Sequence, residues 1–576
     1  MRCILETRLF LLTVFILLIA VACSSAATSV PIATPTRDAT PTPESIATPM
    51  PTATPEPTPT PVVSQPPDGL SGGSLTVAAS ADIPHRDVHQ EFQETLTSLG
   101  PGLAYSRLLR LRTGPLVEQP SFLLECDLCE SWTLTEDFAY EFKLRPNVRW
   151  QDIEPVDGRD LLADDLVYSY QRMQTPGWPN AAIFSDRGIA GFKAPDSETL
   201  RVNLAFLDSD TLLSLADGRS KIVAREVVEQ YGDLKDSPVI GTGPWVWEET
   251  VEGVGTTLSK NPDYFEEGLP FLDELVIKVL KPSDVEVSSA QERLAALQAG
   301  QVDVATLPPQ EWRQIYNSSL EFNSLVTQQA GSGVLLSINT QDPGLEDVRV
   351  RQAVFKALDP WEYVDLTWSG QGLVGIGMPV QDPGWLLNKD EVRSSYLANP
   401  SEARDLLVST GQPLPVDIEL AVAEFEDIYL HLGERVAEDL RTVGFNPTVR
   451  VINPSHYNEI LLGENKEYQV VLGALPPSSS TNGFLMGLLH SRGPANIVGH
   501  RDRTLDTLIE MQAAELDKDA RRQQLAEIQR HILGQGYMFS PVMDASRWVF
   551  NWDLQGFYPN TGLSEYNYWS RVWLEQ

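Results

Sequence analysis

Thiols are scarce in this chain. Its 576 residues carry 4 cysteines. Cys3 and Cys23 fall at the N-terminus, which leaves Cys126 and Cys129 in the body. So few thiols exclude a fold stapled by many disulfides, and no second pair exists to complete a four-thiolate zinc site. Histidine is also scarce, at 7 residues, and none has a triad context. A phosphate-binding GxxxxGK(S/T) loop and an HExxH helix are both absent. The pattern GxSxG occurs once, at Gly69-Leu70-Ser71-Gly72-Gly73. A nucleophile elbow needs a strand before its serine and a helix after it, and this stretch reads instead as a flexible linker. Nothing places two acids together as a glycosidase dyad. His85 and His89 lie four apart, but Pro84 breaks that segment and a metal site needs three or four convergent ligands. Neither a metal nor a cofactor is expected. Positive charge is in deficit: 43 basic residues face 79 acidic ones, for a formal net charge of -36. That balance argues against nucleic acid, whose phosphates require a basic face.

Long apolar runs are missing as well, apart from Leu9–Ala22 behind Arg2 and Arg8. This run is shorter than the ~20 residues of a membrane span and reads as a secretory signal. It ends in Ala20-Val21-Ala22-Cys23-Ser24-Ser25. Small residues directly before a cysteine resemble a bacterial lipobox, which implies cleavage after residue 22 and lipidation at Cys23. From Ser24 to about Gly69 the chain is rich in Pro, Thr, Ala and Ser, with no apolar periodicity that could build a core. Alternating proline favours an extended, semi-rigid spacer with a reach of roughly 100 Å. The exported context bears on Cys126-Asp127-Leu128-Cys129. A lone CxxC could be a redox motif, half a zinc site or a local disulfide, and export favours a disulfide or two separate thiols.

The body is rich in alternating elements. Period-two patterns predict strands at Gly72–Ala78, Tyr140–Leu144 and Leu200–Leu204. The segment Tyr105–Leu111 fits either a helix end or a strand. Helical spacing predicts helices over 163–174, 288–298, 348–358, 401–410, 429–443 and 517–533. The helix at 348 follows Asp347, a good N-cap, and would bury Val350, Ala353, Val354 and Ala357. Strands at 416–423, 448–451 and 469–472 lie between the later helices. Strands alternating with helices predict α/β layers.

Several segments, in order, resemble the peptide/nickel/oligosaccharide-binding members of bacterial extracellular solute-binding protein family 5. They are Glu130-Ser131-Trp132, Tyr140–Trp150, Leu162–Ser169, Ile240-Gly241-Thr242-Gly243-Pro244-Trp245, Asn261-Pro262-Asp263-Tyr264-Phe265, Leu297–Asp303, Ile338-Asn339-Thr340 and Asp347–Ala353. Each is short, but together they run across nearly the whole body. The motifs read as scaffold: Gly241 and Gly243 for tight turns, Pro244 to launch a strand, and Arg351 to pair with a carboxylate. The resemblance implies a two-lobed periplasmic-binding-protein-like α/β fold with a hinge and an interlobe ligand cleft. The implied boundaries are 1–22 for the signal peptide, 23–71 for the lipid-anchored linker, 72–281 plus 541–576 for the first lobe, and 282–540 for the second.

The same resemblance suggests ligand contacts. Asp82 follows the first strand, where relatives place an acid in the cleft. Relatives carry a second cleft segment with an acid that clasps a peptide's amino group. Here that run is Gly473–Leu485, and Pro477 and Ser480 stand where the acids would be. Neither can supply a charge-assisted bond to an ammonium. Ser478, Ser480 and Asn482, with the chain's 13 tryptophans, suit a neutral polar solute such as a sugar. Trp368, Asn496 and His500 also fall near the cleft in relatives. The expectation is a monomeric, exported, lipid-anchored binding protein without catalysis. It would hand a peptide or oligosaccharide to the permease and ATPase subunits of an ABC importer. A surface receptor feeding a sensor, or an exported hydrolase, are the alternatives.

Overall fold

A computed structural model describes residues 71–91, 93–280, 288–318 and 322–575. The leader, Cys23 and nearly all of the linker lie outside the described residues.

Three sheets organise the body. The first has seven strands, in the order Phe322–Gln328, Ala545–Asn551, Val304–Thr306, Ser74–Ala79, Glu274–Val279, Gly255–Lys260 and Trp245–Val251. Its central strand, Ser74–Ala79, pairs in parallel with Glu274–Val279 and Val304–Thr306. Leu75, Val77 and Ala79 are buried in an apolar cluster with Trp548, Phe557 and Trp569 from the C-terminal segment. The period-two pattern thus places alternate residues in one core. A four-stranded antiparallel sheet, Cys129–Leu134, Ala139–Leu144, Thr199–Leu204 and Ile189–Asp196, carries the helix Ala163–Met173. The buried members of its cluster fall between Val88 and Ile240.

The third sheet has six strands, in the order Leu373–Gly375, Met538–Met543, Val334–Ile338, Val470–Ala474, Val416–Ala423 and Phe445–Ile452. Val416–Ala423 is parallel to both of its neighbours, with helices as crossovers. The helix Asp427–Val443 sets Leu432, Val436, Leu440 and Val443 into the core. All buried members of this core fall between Val334 and Val542. Strands Val304–Thr306 and Phe322–Gln328, which the sequence reading grouped with 282–540, pair into the same sheet as Ser74–Ala79.

The predicted helices appear within two residues of their expected starts, and Asp347 caps Val348–Ala357 by accepting from the Arg349 backbone N–H. Tyr105–Leu111 resolves as a short strand at Leu109–Leu111. Gly241 and Gly243 stand where a side chain would be blocked, as expected, because the 101–104 turn lies against them. A Cβ at Gly241 would sit 1.9 Å from the Ala104 carbonyl oxygen. One local expectation is corrected: Arg351 donates to the carbonyls of Leu345, Glu346 and Gln535 rather than to a carboxylate. Its planar fork serves several loop oxygens at once. Among the described residues no helix is long and apolar enough to cross a membrane.

Candidate functional site

The site grows from two segments that share no strand. One runs from Pro179 through the turn Ser185–Arg187 to Arg219. The other follows the strand Val470–Ala474 and reaches the short helix Thr481–Phe484. Where they meet lies a cavity of about 150 Å³. Its apolar wall includes Ile183 and Leu213, and its polar wall includes Asp186, Arg187, Arg219 and Ser479. A cavity of this size holds a molecule of about benzene's bulk, well below the ~300 Å³ at which drug-sized pockets begin.

Beside the cavity a buried polar network ties the two segments together. Asp210 is fully buried and accepts from Arg521 Nη1 at 2.7 Å and from the Asn482 backbone N–H at 2.7 Å. The Asn482 side chain donates to Asp208 at 2.6 Å and accepts from Gln512 at 2.8 Å and Arg521 Nη2 at 3.1 Å. Ser209 donates to the Ala513 carbonyl through both its backbone N–H and its hydroxyl. Burial pushes the Asp210 carboxyl up, but Arg521 overrides it and holds the group below its ordinary value. Asp208 moves the other way, raised by burial and by the neighbouring Asp210 charge. Every polar group of this cluster is spoken for, the condition under which buried charge can be tolerated.

Arg219 and Asp217 form a closed pair on the cavity wall, with two contacts of 2.7 Å. Arg187 is different. Its side chain is 14% exposed, it stands 4.0 Å from Asp208, and its one hydrogen bond to the protein runs at 3.5 Å to the Asp186 carbonyl. Its guanidinium lies against the backbone at Gly483, where a Cβ would come within 2.4 Å of Nη2.

None of the seven residues anticipated from the sequence lines this cavity, although Ser478 and Ser480 flank Ser479, which does. Asp82 accepts from the Gly253 N–H at 2.9 Å. Trp368 is 4% exposed in the core of the six-stranded half. Ser478 donates to the Ser480 carbonyl, and Ser480, fully buried, caps Thr481–Phe484 by accepting from Gly483. Asn482 belongs to the buried network. Asn496 braces the carbonyls of Ser491 and His500. His500 is buried, stacks on Tyr537 at 5.2 Å, and bonds to the Leu489 carbonyl; burial holds its imidazole below the ordinary value. His85 faces Glu91, whereas His89 faces the Lys221 carbonyl, so this pair does not converge. Cys126 and Cys129 are joined in a disulfide, their Cα atoms 5.0 Å apart.

Sequence reasoning missed Arg187, Asp208, Asp210 and Arg521. A signal existed for the last. Arg521 falls at helical spacing with Leu525, Ile528 and Ile532 on the buried stripe of Lys518–Gly534. A charge on an apolar stripe points to a buried partner.

Comparisons with known proteins bear on this arrangement. Residues 124–496 match the model of "Bacterial extracellular solute-binding proteins, family 5 Middle". The chain is 27% identical over 328 residues to heme-binding protein A of Haemophilus influenzae, covering 54% of this chain and 56% of that protein. It is 28% identical over 370 residues to probable di/tripeptide-binding protein 5 of Pseudomonas aeruginosa, covering 60% and 65%. The chain therefore aligns with less than two thirds of the length of either relative. Among solved structures, the ABC transporter substrate binding protein CtaP from Listeria monocytogenes superposes with a TM-score of 0.72 at 18% identity, covering 88% of this chain and 100% of that one. The periplasmic binding protein DppA from Helicobacter pylori, in complex with the peptide STSA, gives 0.64 at 20% identity, covering 88% and 99%. The fold is that of periplasmic binding proteins.

Proposed function

Because the chain belongs to the bacterial extracellular solute-binding proteins, family 5, we propose that it captures one small organic solute between two lobes and delivers it to an ABC-type membrane permease, without catalysis. The observation that carries this reading is the cavity between the 179–219 segment and Ser479, closed on one side by the Asp210–Asn482–Arg521 network. The network joins chain segments that lie 272 and 311 residues apart. It is the kind of contact that hinge motion makes and breaks. The two lobes divide where the sheets do. One carries the seven- and four-stranded sheets and the other the six-stranded sheet, with crossings near 329–333 and 543–544. On this reading the first crossing falls at 329–333, against the boundary at 282 expected from sequence.

The cavity, about 150 Å³ and partly open to solvent, takes a compound of about six heavy atoms or one end of a larger solute. An oligopeptide requires the lobes to part further. A signal peptide over 1–22, a lipid at Cys23 and a linker over 23–71 would hold the monomeric body outside the membrane, near its permease. A thermal-shift screen of the protein against di- and tripeptides, oligosaccharides, heme and Ni²⁺ tests the reading. Binding stabilises the folded state by about 2.7 kcal/mol at a hundredfold excess over Kd, and the melting temperature rises accordingly. A shift with one solute class supports capture. The absence of any shift across all four classes, with the protein folded, contradicts it.

A further inference from the structure

We propose that Arg187 is the specificity-determining residue of the cavity and that it selects a solute bearing a carboxylate. This rests on the solute-capture reading above. A guanidinium offers five N–H donors in a fixed fork, and when little exposed it normally spends them on carboxylates or carbonyls. Other arginines in this chain do so. Arg219 holds Asp217 through two contacts of 2.7 Å, and Arg521 spends its donors on Asp210, Asn482 and Gln512. Arg187 faces the cavity with one hydrogen bond at 3.5 Å and the Asp208 carboxylate at 4.0 Å; its charge favours the ionised forms of Asp208 and Asp210, but neither takes a short hydrogen bond from its fork. That carboxylate, Asp208, already accepts from Asn482 and from the Asp210 N–H at 2.7 Å. The fork therefore points into the cavity with donors to spare, and the group that satisfies a planar fork is a planar oxyanion.

Position supports the assignment. Gly483 is the surface on which the guanidinium rests, and any side chain there would displace it. Arg187 and Gly483 come from the two segments that meet at the cavity, so the anion subsite is complete only when they are together. Ser479 and Ser214 add polar lining and Ile183 and Leu213 apolar lining; two acids also line the cavity, Asp217, which is neutralised by Arg219, and Asp186, whose charge Arg187 must outweigh. These surroundings suit a carboxylate on a short aliphatic stem. The chain also lacks the acids that would clasp an ammonium in the 473–485 run, so charge recognition passes to the opposite end of a solute. A chain of net charge -36 repels anions at long range, which makes a committed cation necessary for holding one.

Titration calorimetry with matched probes tests the inference: trialanine against trialanine amide, and glutarate against glutaramide, on the full chain and on Arg187→Gln and Arg187→Lys. The expected result is at least tenfold tighter binding of the acid than of its amide, a ratio that collapses to near one in Arg187→Gln and is partly kept in Arg187→Lys. Unchanged circular dichroism and melting temperature would show that the variants fold. Equal binding of acid and amide, or a preference that survives in Arg187→Gln, overturns the inference. Binding confined to uncharged oligosaccharides also overturns it while leaving solute capture intact. No binding by any probe or any member of the wider screen overturns both.

Discussion

Replacing Arg521 with methionine probes the network beside the cavity. The substitution keeps most of the apolar stem and removes three donations: 2.7 Å to Asp210, 3.1 Å to Asn482 and 3.2 Å to Gln512. Asp210 is left fully buried with its charge, keeping the Asn482 N–H at 2.7 Å, a Gln381 contact at 3.3 Å and the more distant charge of Arg187. Breaking a buried pair from one side costs about 3–5 kcal/mol, because the remaining ion is uncompensated. The protein has two escapes. Asp210 can take up a proton, at ~1.4 kcal/mol per unit of displaced pKa, or the lobes can part and let water reach it. Urea unfolding and small-angle scattering separate the cases. A loss of about 3–5 kcal/mol with an unaltered radius of gyration means the interface stays shut. A smaller loss with a larger radius means that it opens. The double variant Asp210→Asn/Arg521→Met removes the orphaned charge and should recover at least half of the loss. A single variant within about 1 kcal/mol of the parent, with unaltered scattering, would refute the reasoning. So would a double variant that is simply the sum of the singles.

Two further outcomes follow from the scaffold. Burial pushes the His89 imidazole down to about 4, with its Nε2 on the Lys221 carbonyl and Nδ1 without a partner. The neutral form is the one that fits, so its contribution is complete above about pH 6.5 and is lost as pH falls towards 4, by ~3 kcal/mol in all. Asp87 is lowered to about 2 against burial by Arg172, so its contribution is lost in the next window, below about pH 4. Stability measured from pH 8 to 3 should fall in these two steps, and His89→Gln should abolish the upper one; a flat profile between pH 6.5 and 4 would count against a buried neutral His89. Gly241→Ala would drive a Cβ to 1.9 Å from the Ala104 carbonyl and should cost about 3 kcal/mol, the upper end of overpacking, in urea unfolding. Gly191→Ala, with nothing within 4 Å of the new Cβ, should stay within about 0.5 kcal/mol.

Much of the scaffold was legible because its signals are local. Alternation at Leu75, Val77 and Ala79 follows from a strand with one buried face, and Asp347 capping Val348–Ala357 follows from helix ends needing acceptors. The motif glycines were legible as positions needing smallness, but the cause lay elsewhere in the chain. Only the packed structure brings the Ala104 carbonyl against Gly241. The site was less legible for the same reason. Asp210, Asn482 and Arg521 meet across separations of 272 and 311 residues, and no periodicity encodes such a meeting. Asn482 drew notice as a polar group near a cleft, yet its amide is consumed in joining chain segments. Trp368 shows the opposite failure, since an aromatic beside a glycine loop looks available until the core closes over it. Arg187 carries no sequence signal of its own. What sets it apart is a shortage of partners, which only geometry reveals.

Solute capture without turnover is the central claim, and titration calorimetry with recovery of the solute tests it most directly. The full chain would be titrated with the compound that raises its melting temperature most, and the solute then recovered and analysed. The account predicts a single saturable site, one molecule per chain, and solute returned unaltered after prolonged incubation. Accumulating product, or heat that never saturates, would contradict it.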